Sequence, residues 1–457
     1  MKIKLENLGP LKQAEFELGD LTIICGQNNT GKTYATYALC GFLHVWKKIL
    51  TVSIADTIVK TLLDNGVVKI NLVDYLDQAE IILQKGCKQY TRSLSKIFET
   101  KEKRFKTTQF QIILDEKPSL MSEFEVKIQS ENAKIFSLSK SENSMELVVS
   151  LLAGMEKNIF PPKIIKEIIS DAVIKIIFSK LFSNPFISSA ERTGAAIFSN
   201  ELNFSRNNLL KEIHSLDKDI DPRELFLKRY QDYALPVEQN VEFIRNLKKV
   251  TKKNSFIAEK HPEILEDFAD IIGGNYGITN NDELHFKPKG GRVKLTMDES
   301  SSAVRSLLDI GFYLRHVAKE GDLLMVDEPE LNLHPENQRR ITRLFSRLIN
   351  IGIKVFVTTH SDYIVKELNT LIMLNHDQPY LKRIASDAGY NESELITAAQ
   401  IKVYIAEKAL INLDGNQRKK YPYQTLTPAY IDPELGIEAR SFDTTINTMN
   451  RIQEAVV

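Results

Sequence analysis

One stretch, Leu21 to Thr33, constrains this chain more than any other. Leu21-Thr22-Ile23-Ile24-Cys25 is a short, apolar, β-branched run. It leads into Gly26-Gln27-Asn28-Asn29-Thr30-Gly31-Lys32-Thr33, and Tyr34 to Phe42 continues as an apolar helical pattern. In such a strand, glycine loop and helix, backbone N–H groups turn inward around phosphate oxygens at a helix N-terminus. At the G-x-x-x-x-G-K-T spacing Lys32 reaches the β- and γ-phosphates and the Thr33 hydroxyl ligates magnesium. The expectation is an α/β domain with a nucleotide on Gly26, Asn28, Asn29, Thr30, Gly31, Lys32 and Thr33.

A phosphate loop needs a metal-holding carboxylate and a base opposite it. Asp322 to Val326 is an apolar run ending in Asp327-Glu328-Pro329-Glu330. Asp327 is the candidate for holding magnesium, through water, and Glu328 the candidate for polarising an attacking water. A third run, Lys354 to Val357, ends in Thr358-Thr359-His360-Ser361-Asp362. His360 there can hydrogen-bond a γ-phosphate or the attacking water. Between glycines and carboxylates, Ser300, Ser301 and Ser302 lead into a helical pattern from Ala303 to Ala318. A serine at a helix start caps it; its hydroxyl, the free N–H groups and the dipole also make a phosphate receptor. With the phosphate loop filled in cis, a second copy would present Ser301 and Ser302, which predicts a dimer sandwiching two nucleotides.

The 457 residues suffice for two or three units with cores. Sixty basic residues balance sixty acidic ones, so any attraction to nucleic acid must come from local patches. Cys25, Cys40 and Cys87 show no paired spacing, which fits a reducing cytoplasm. No apolar run follows a basic start, and nowhere do eighteen apolar residues follow one another, so neither export nor membrane spanning is expected.

Along the chain, Ile3–Leu5 and Ala14–Leu18 read as strands around a Gly9-Pro10 turn. From 51 to 183 helices give way to alternating segments at 109–114, 123–128, 134–138 and 145–149, read as a meander inserted into the nucleotide domain. Lys101 to Lys106 reads as a solvated hairpin edge. The isoleucine-rich pattern 163–182 predicts a helix buried on more than one side. At 184–200 a short strand returns and ends in Ala190-Glu191-Arg192-Thr193-Gly194; Glu191 and Arg192 either reach the nucleotide pocket or form an ion pair in a surface turn. Residues 201–270 read as a helical arm, its lysines at 248, 249, 252 and 253 marking a solvated helix end, with contact to nucleic acid or a partner as the alternative.

The loop at 26–33, the serines at 300–302, Asp-Glu-Pro-Glu-Leu-Asn-Leu-His-Pro at 327–335 and Thr-Thr-His-Ser at 358–361, in that order, resemble the ABC-type ATPase heads of the OLD and SMC group. With the turn at 190–194 and the stretch 359–374, the chain is similar to the stand-alone ATPase subunits of prokaryotic antiphage systems, of the AriA type in PARIS and, less closely, the PtuA type in Septu. The resemblance covers residues 1–45 and about 185–375. It implies an ABC-type head with an inserted helical and β-meander region and a helical arm. It also implies ATP and Mg2+, with Lys32 and Thr33 on phosphate and metal, Asp327 on metal, Glu328 as base, His360 as switch residue, and Ser301 and Ser302 acting across a homodimer or larger homo-oligomer. A separate effector protein, a nuclease by analogy, would be controlled in trans, and DNA is a further partner the resemblance allows. The signature carries Ala303 and Val304 where many relatives have glycine and an acid or glutamine. Gln109 and Gln111 are weak candidates for the glutamine loop, and 376–457 carries no assignable motif. An OLD- or SMC-like ATPase acting directly on DNA is the other expectation.

Overall fold

Leu21–Cys25 and Leu323–Asp327 are each buried at all five positions. Strands that hide both faces belong inside a parallel sheet covered on both sides. The computed structural model, which describes residues 1–130, 133–151, 161–197, 233–279, 283–411, 421–438, 451, 452 and 454, places them there. Six strands form one sheet in the order Tyr421–Pro428, Ile401–Ile411, Leu21–Cys25, Lys354–Thr359, Leu323–Asp327, Pro185–Ser188. The last five run parallel and the first is antiparallel. The fold is α/β. The register sets Cys25 beside Thr359 and Asp327 beside Thr358, so three strand ends converge on one edge, where open α/β sheets bind ligands.

Two compact units divide the chain: residues 1–5, 42–93 and 108–184 form one, and residues 6–41, 94–107 and 185–457 the other. The six-stranded sheet lies in the second. On one of its faces Leu21, Ile23, Leu324, Val326, Val355 and Val357 join a core with the helices Pro335–Asn350 and Asp362–Met373. The first of these buries Ile341, Leu344, Phe345 and Leu348, spaced as one helical stripe. On the other face the Phe16 ring packs against Phe356 and Tyr404, centroids 6.1 Å apart in both pairs.

The first unit contains a four-stranded antiparallel sheet, ordered Val67–Asn71, Glu146–Leu151, Ala133–Lys140, Phe124–Ser130. Gln109–Ile113 stands outside that sheet; Phe110 packs instead with Phe42 and Tyr90. The isoleucine-rich helix runs Pro162–Phe178 and buries Ile165, Ile169, Ile174, Ile176 and Ile177.

Two local expectations need correction. Residues 102–105 form a 3-10 turn rather than a hairpin edge, because Phe105 is buried against Phe98, which itself stacks on Tyr34. The helical pattern from Ala303 splits into Ser302–Ser306 and Leu308–His316. The Ser306 carbonyl is taken by the Arg192 Nε, and the Ile310 N–H that a continuous helix would aim there donates to Asp309 Oδ1 instead. The stretch beyond 376, which carries no assignable motif, supplies the strand Ile401–Ile411, whose first five residues pair with Leu21–Cys25. Of the expected arm, residues 201–232 lie outside the described residues, and Leu235–Arg245, Leu247–Val250, Phe256–Lys260 and Pro262–Ile272 are helical. Lys248, Lys249, Lys252 and Lys253 are exposed.

Candidate functional site

The loop leaving Leu21–Cys25 is held as a ring by its own backbone and side chains. Gly26 and Gly31 have φ of +147° and +98°, and a Cβ at either would sit 2.6 Å from the Ala406 carbonyl oxygen or 2.7 Å from Leu11 Cγ. Only glycine fits, by conformation and by space. Asn29 takes the left-handed region, φ +63°, which asparagine tolerates. The Thr30 hydroxyl donates to the Gln27 carbonyl at 2.7 Å. Lys32 is 4% exposed, and its Nζ donates to the carbonyls of Gly26 and Gln27, both at 2.9 Å. Burial pushes its pKa down, while Glu328, Asp327 and Glu330 pull it back up.

The carboxylates arrive from the next strand but one. Asp327 is fully buried; its Oδ1 accepts from the Thr358 hydroxyl, and Oδ2 has no hydrogen-bond partner among the described residues. Desolvation pushes its pKa up to about 6, helped by Glu328 and Glu191, while the Thr358 and Thr33 hydroxyls favour the charged form. An orphaned, desolvated carboxylate oxygen with the Thr33 hydroxyl close by fits a hard divalent cation. Among the described residues no cluster of three or more His, Cys, Asp or Glu side chains forms a protein-only metal cage. Magnesium at nucleotide sites is held instead by one or two protein oxygens and by substrate phosphates.

Glu328 sits in the left-handed region, φ +53°. Its N–H donates to the Thr358 carbonyl and is also within 3.2 Å of the Thr358 hydroxyl, and its carbonyl accepts from Arg192 at 2.7 Å. The Glu328 side chain is 23% exposed, with Oε1 3.6 Å from His360 Nδ1. His360 Nδ1 lies closer still, 3.1 Å, to Oε1 of Glu330, which is nearly buried and accepts from the His360 N–H and the Thr359 hydroxyl. An open cleft of about 1170 Å³ borders Gly26 to Thr30, Glu330 to Asn332, His360 to Tyr363 and Ile405 to Lys408.

The structure thus brings Gly26, Asn28, Asn29, Thr30, Gly31, Lys32, Thr33, Asp327, Glu328 and His360 to one edge of the sheet. Ser301 and Ser302 are exposed and do not line that cleft; the Ser301 hydroxyl accepts the Val304 N–H as a helix cap. Gln109 and Gln111 are exposed neighbours on one strand, 3.2 Å apart, and do not line the cleft either; the glutamines that do are Gln27, Gln338 and Gln424. Of the two readings of the 190–194 turn, the one that brings it to the pocket holds in part: Glu191 and Arg192 both stand beside Asp327. Glu191 accepts from the Tyr37 hydroxyl at 2.9 Å, and Arg192 is buried behind the carboxylates, bound to main-chain carbonyls. Sequence reasoning also passed over Glu330, although it stands in the same acidic run, and the Ile401–Ala406 wall, whose β-branched and aromatic run was a legible strand signal.

A family model described as an AAA ATPase domain matches residues 1–365. No curated protein matches the chain. Similar solved structures include an SMC head bound to the C-winged helix domain of ScpA, at 11% identity and TM-score 0.33 over 93% of this chain and 97% of that one. The SMC head domain from Thermotoga maritima is 9% identical, TM-score 0.30, over 94% and 98%. An Smc head domain with an extended coiled coil, bound to the C-terminal domain of ScpA and derived from Pyrococcus furiosus, is 12% identical, TM-score 0.32, over 99% and 98%.

Proposed function

Because this chain belongs to the AAA ATPase domain family, we propose that it binds ATP with magnesium on the loop 26–33 and hydrolyses it to ADP and phosphate. The observation that carries the reading is the convergence of three parallel strand ends, which sets Lys32 among Asp327, Glu328 and Glu330 and leaves Asp327 Oδ2 unpartnered. Lys32 would exchange its two loop carbonyls for β- and γ-phosphate oxygens. Thr33 and Asp327 would hold magnesium, whose contribution when bound is to offset charge on the phosphate oxygens. Glu328 would take the proton of a water as its oxygen attacks the γ-phosphorus and the bond to the ADP oxygen breaks. His360, braced by Glu330, would hydrogen-bond the water or the γ-phosphate.

In the finer reading the chain is an ABC-type head of residues 1–50, 184–200 and 271–375, with 51–183 inserted and 201–270 as an arm. It would pair with a second copy through Ser301 and Ser302, and act as the sensor or scaffold subunit that controls a separate effector in antiphage defence. Support comes from the order of the motifs at 26–33, 300–302, 327–335 and 358–361, and from the inserted regions at 51–183 and 201–270, whose sequences are too short and too mixed in pattern for the heptad arms a DNA motor extends. The test is phosphate release by wild type, Lys32→Ala and Glu328→Gln, with and without DNA. Lys32→Ala should lose nucleotide binding. Glu328→Gln should keep binding and lose turnover by about 10²- to 10⁴-fold. Wild-type protein that binds no ATP overturns the reading, and turnover that requires DNA transfers it to a DNA-acting ATPase.

A further inference from the structure

Arg192 is among the largest fully buried side chains, 1% exposed, and its guanidinium is spread over three separate segments. Nε donates to the Ser306 carbonyl at 2.6 Å, Nη1 to the carbonyls of Ser189 at 3.0 Å and Asp327 at 2.6 Å, and Nη2 to the carbonyl of Glu328 at 2.7 Å. Every one of these acceptors is main chain. A side chain so used fixes backbone rather than a ligand, and the rigid fork of arginine can span acceptors that a lysine cannot.

Two of those acceptors flank the one peptide whose orientation decides where the Glu328 carboxylate points. Glu328 holds φ at +53°, a region that L residues with long side chains rarely adopt and that persists only where the surroundings enforce it. From one side Thr358 takes the Glu328 N–H; from the other Arg192 takes the carbonyls of Asp327 and Glu328. A further acceptor, Ser306, ends the short helix whose start carries Ser301 and Ser302, and its carbonyl meets Arg192 where that helix stops short of Leu308–His316. The polar surroundings continue behind it: Asn240, 1% exposed, accepts the Ser189 N–H at 2.7 Å and donates to Asp309 Oδ2 at 3.3 Å.

We propose that Arg192 is a positioning residue: it holds Glu328 in its left-handed conformation and makes that conformation move as one with the Ser302–Ser306 helix. The proposal rests on the reading of Glu328 as the base that activates water. Anything that displaces the serine helix, docking of a second copy above all, would then reach the water-activating carboxylate through one guanidinium.

The experiment uses full-length Arg192→Lys, which keeps the charge and loses the fork. Its kcat for ATP should fall about 100-fold, the effect of a small misplacement at a reacting centre, while KM stays within about threefold. Arg192→Lys in a Glu328→Gln background should be no slower than Glu328→Gln alone, because both changes remove one function. In hydrogen exchange the amides of 303–306 and 328–331 should lose protection together, with those of the helix Pro335–Asn350 unchanged. A kcat equal to wild type, losses that multiply, or protection lost across all three segments alike would overturn the proposal.

Folding itself supplies a second reading if Arg192→Lys is too unstable for kinetics. In a Glu328→Gly background the left-handed conformation is no longer disfavoured, so the thermal midpoint lost on Arg192→Lys should be smaller there than in wild type. An equal loss in both backgrounds would overturn it. Should Glu328→Gln hydrolyse ATP like wild type, the assignment of the base fails, while the comparison of thermal midpoints still decides whether Arg192 enforces the conformation.

Discussion

Burying Asp327 has a cost in stability. Its carboxyl titrates at about 6 in the folded chain against 3.8 for an ordinary aspartate, chiefly through desolvation. A carboxyl whose folded pKa is raised holds its proton longer in the folded state, so stability falls as pH rises through that window and stays lowered above it. The magnitude is about 3 kcal/mol. In metal-free, nucleotide-free buffer, Asp327→Asn should therefore melt higher than wild type at about pH 8, and the difference should shrink towards zero near pH 4. Thermal melts across that range check it, and a difference independent of pH would mean that no buried charge is involved. The three thiols make a simpler case. Burial pushes Cys25, Cys40 and Cys87 each up to about 12, and all three are buried, so alkylating reagents at neutral pH should label them only after denaturation.

The strand Ile401–Ile411 carries more of the site than its late position in the chain suggests. It covers one side of Leu21–Cys25, and its Ala406 carbonyl fills the space a side chain at Gly26 would need. Truncation before Ile401 should leave Leu21–Cys25 as an exposed, apolar edge, an invitation to strand pairing between molecules. The expected outcome is aggregation and loss of nucleotide binding in sedimentation and binding assays; a monomeric, ATP-binding truncation would show that the strand is dispensable. The same strand marks where sequence reading stopped. The loop 26–33, the carboxylates at 327 and 328 and His360 were legible because each follows an apolar run that hydrophobic patterning alone identifies as a strand. Ile401–Ala406 has that pattern too, but without a polar motif at its end it drew no assignment. Arg192 was out of reach for a different reason. A charge beside a glycine turn reads equally as a pocket residue or a surface one, and only the fold shows that its acceptors are main-chain carbonyls of residues 189, 306, 327 and 328.

At the scale of the whole molecule, equal numbers of acidic and basic residues leave no long-range field to draw copies together, and no helix among the described residues is long and apolar enough to cross a membrane. Pairing of two chains should then depend on bound nucleotide rather than on charge. Light scattering should show the mass of Glu328→Gln doubling with ATP and magnesium, and little change with ADP. Lys32→Ala should remain at the lower mass in both, and so should a variant with Ser302→Arg, since Ser302 is exposed and apart from the cis cleft. A mass that doubles without nucleotide would separate assembly from the site. The left-handed backbone at Glu328 has a last consequence, legible over evolutionary time. Position 328 is one where glycine or asparagine would relieve strain, and this chain carries a glutamate there. A lineage released from the need for turnover should drift there first, gaining robustness as it loses chemistry. Glycine at this position, above an intact loop at 26–33, would be the mark of a descendant that binds nucleotide and no longer consumes it.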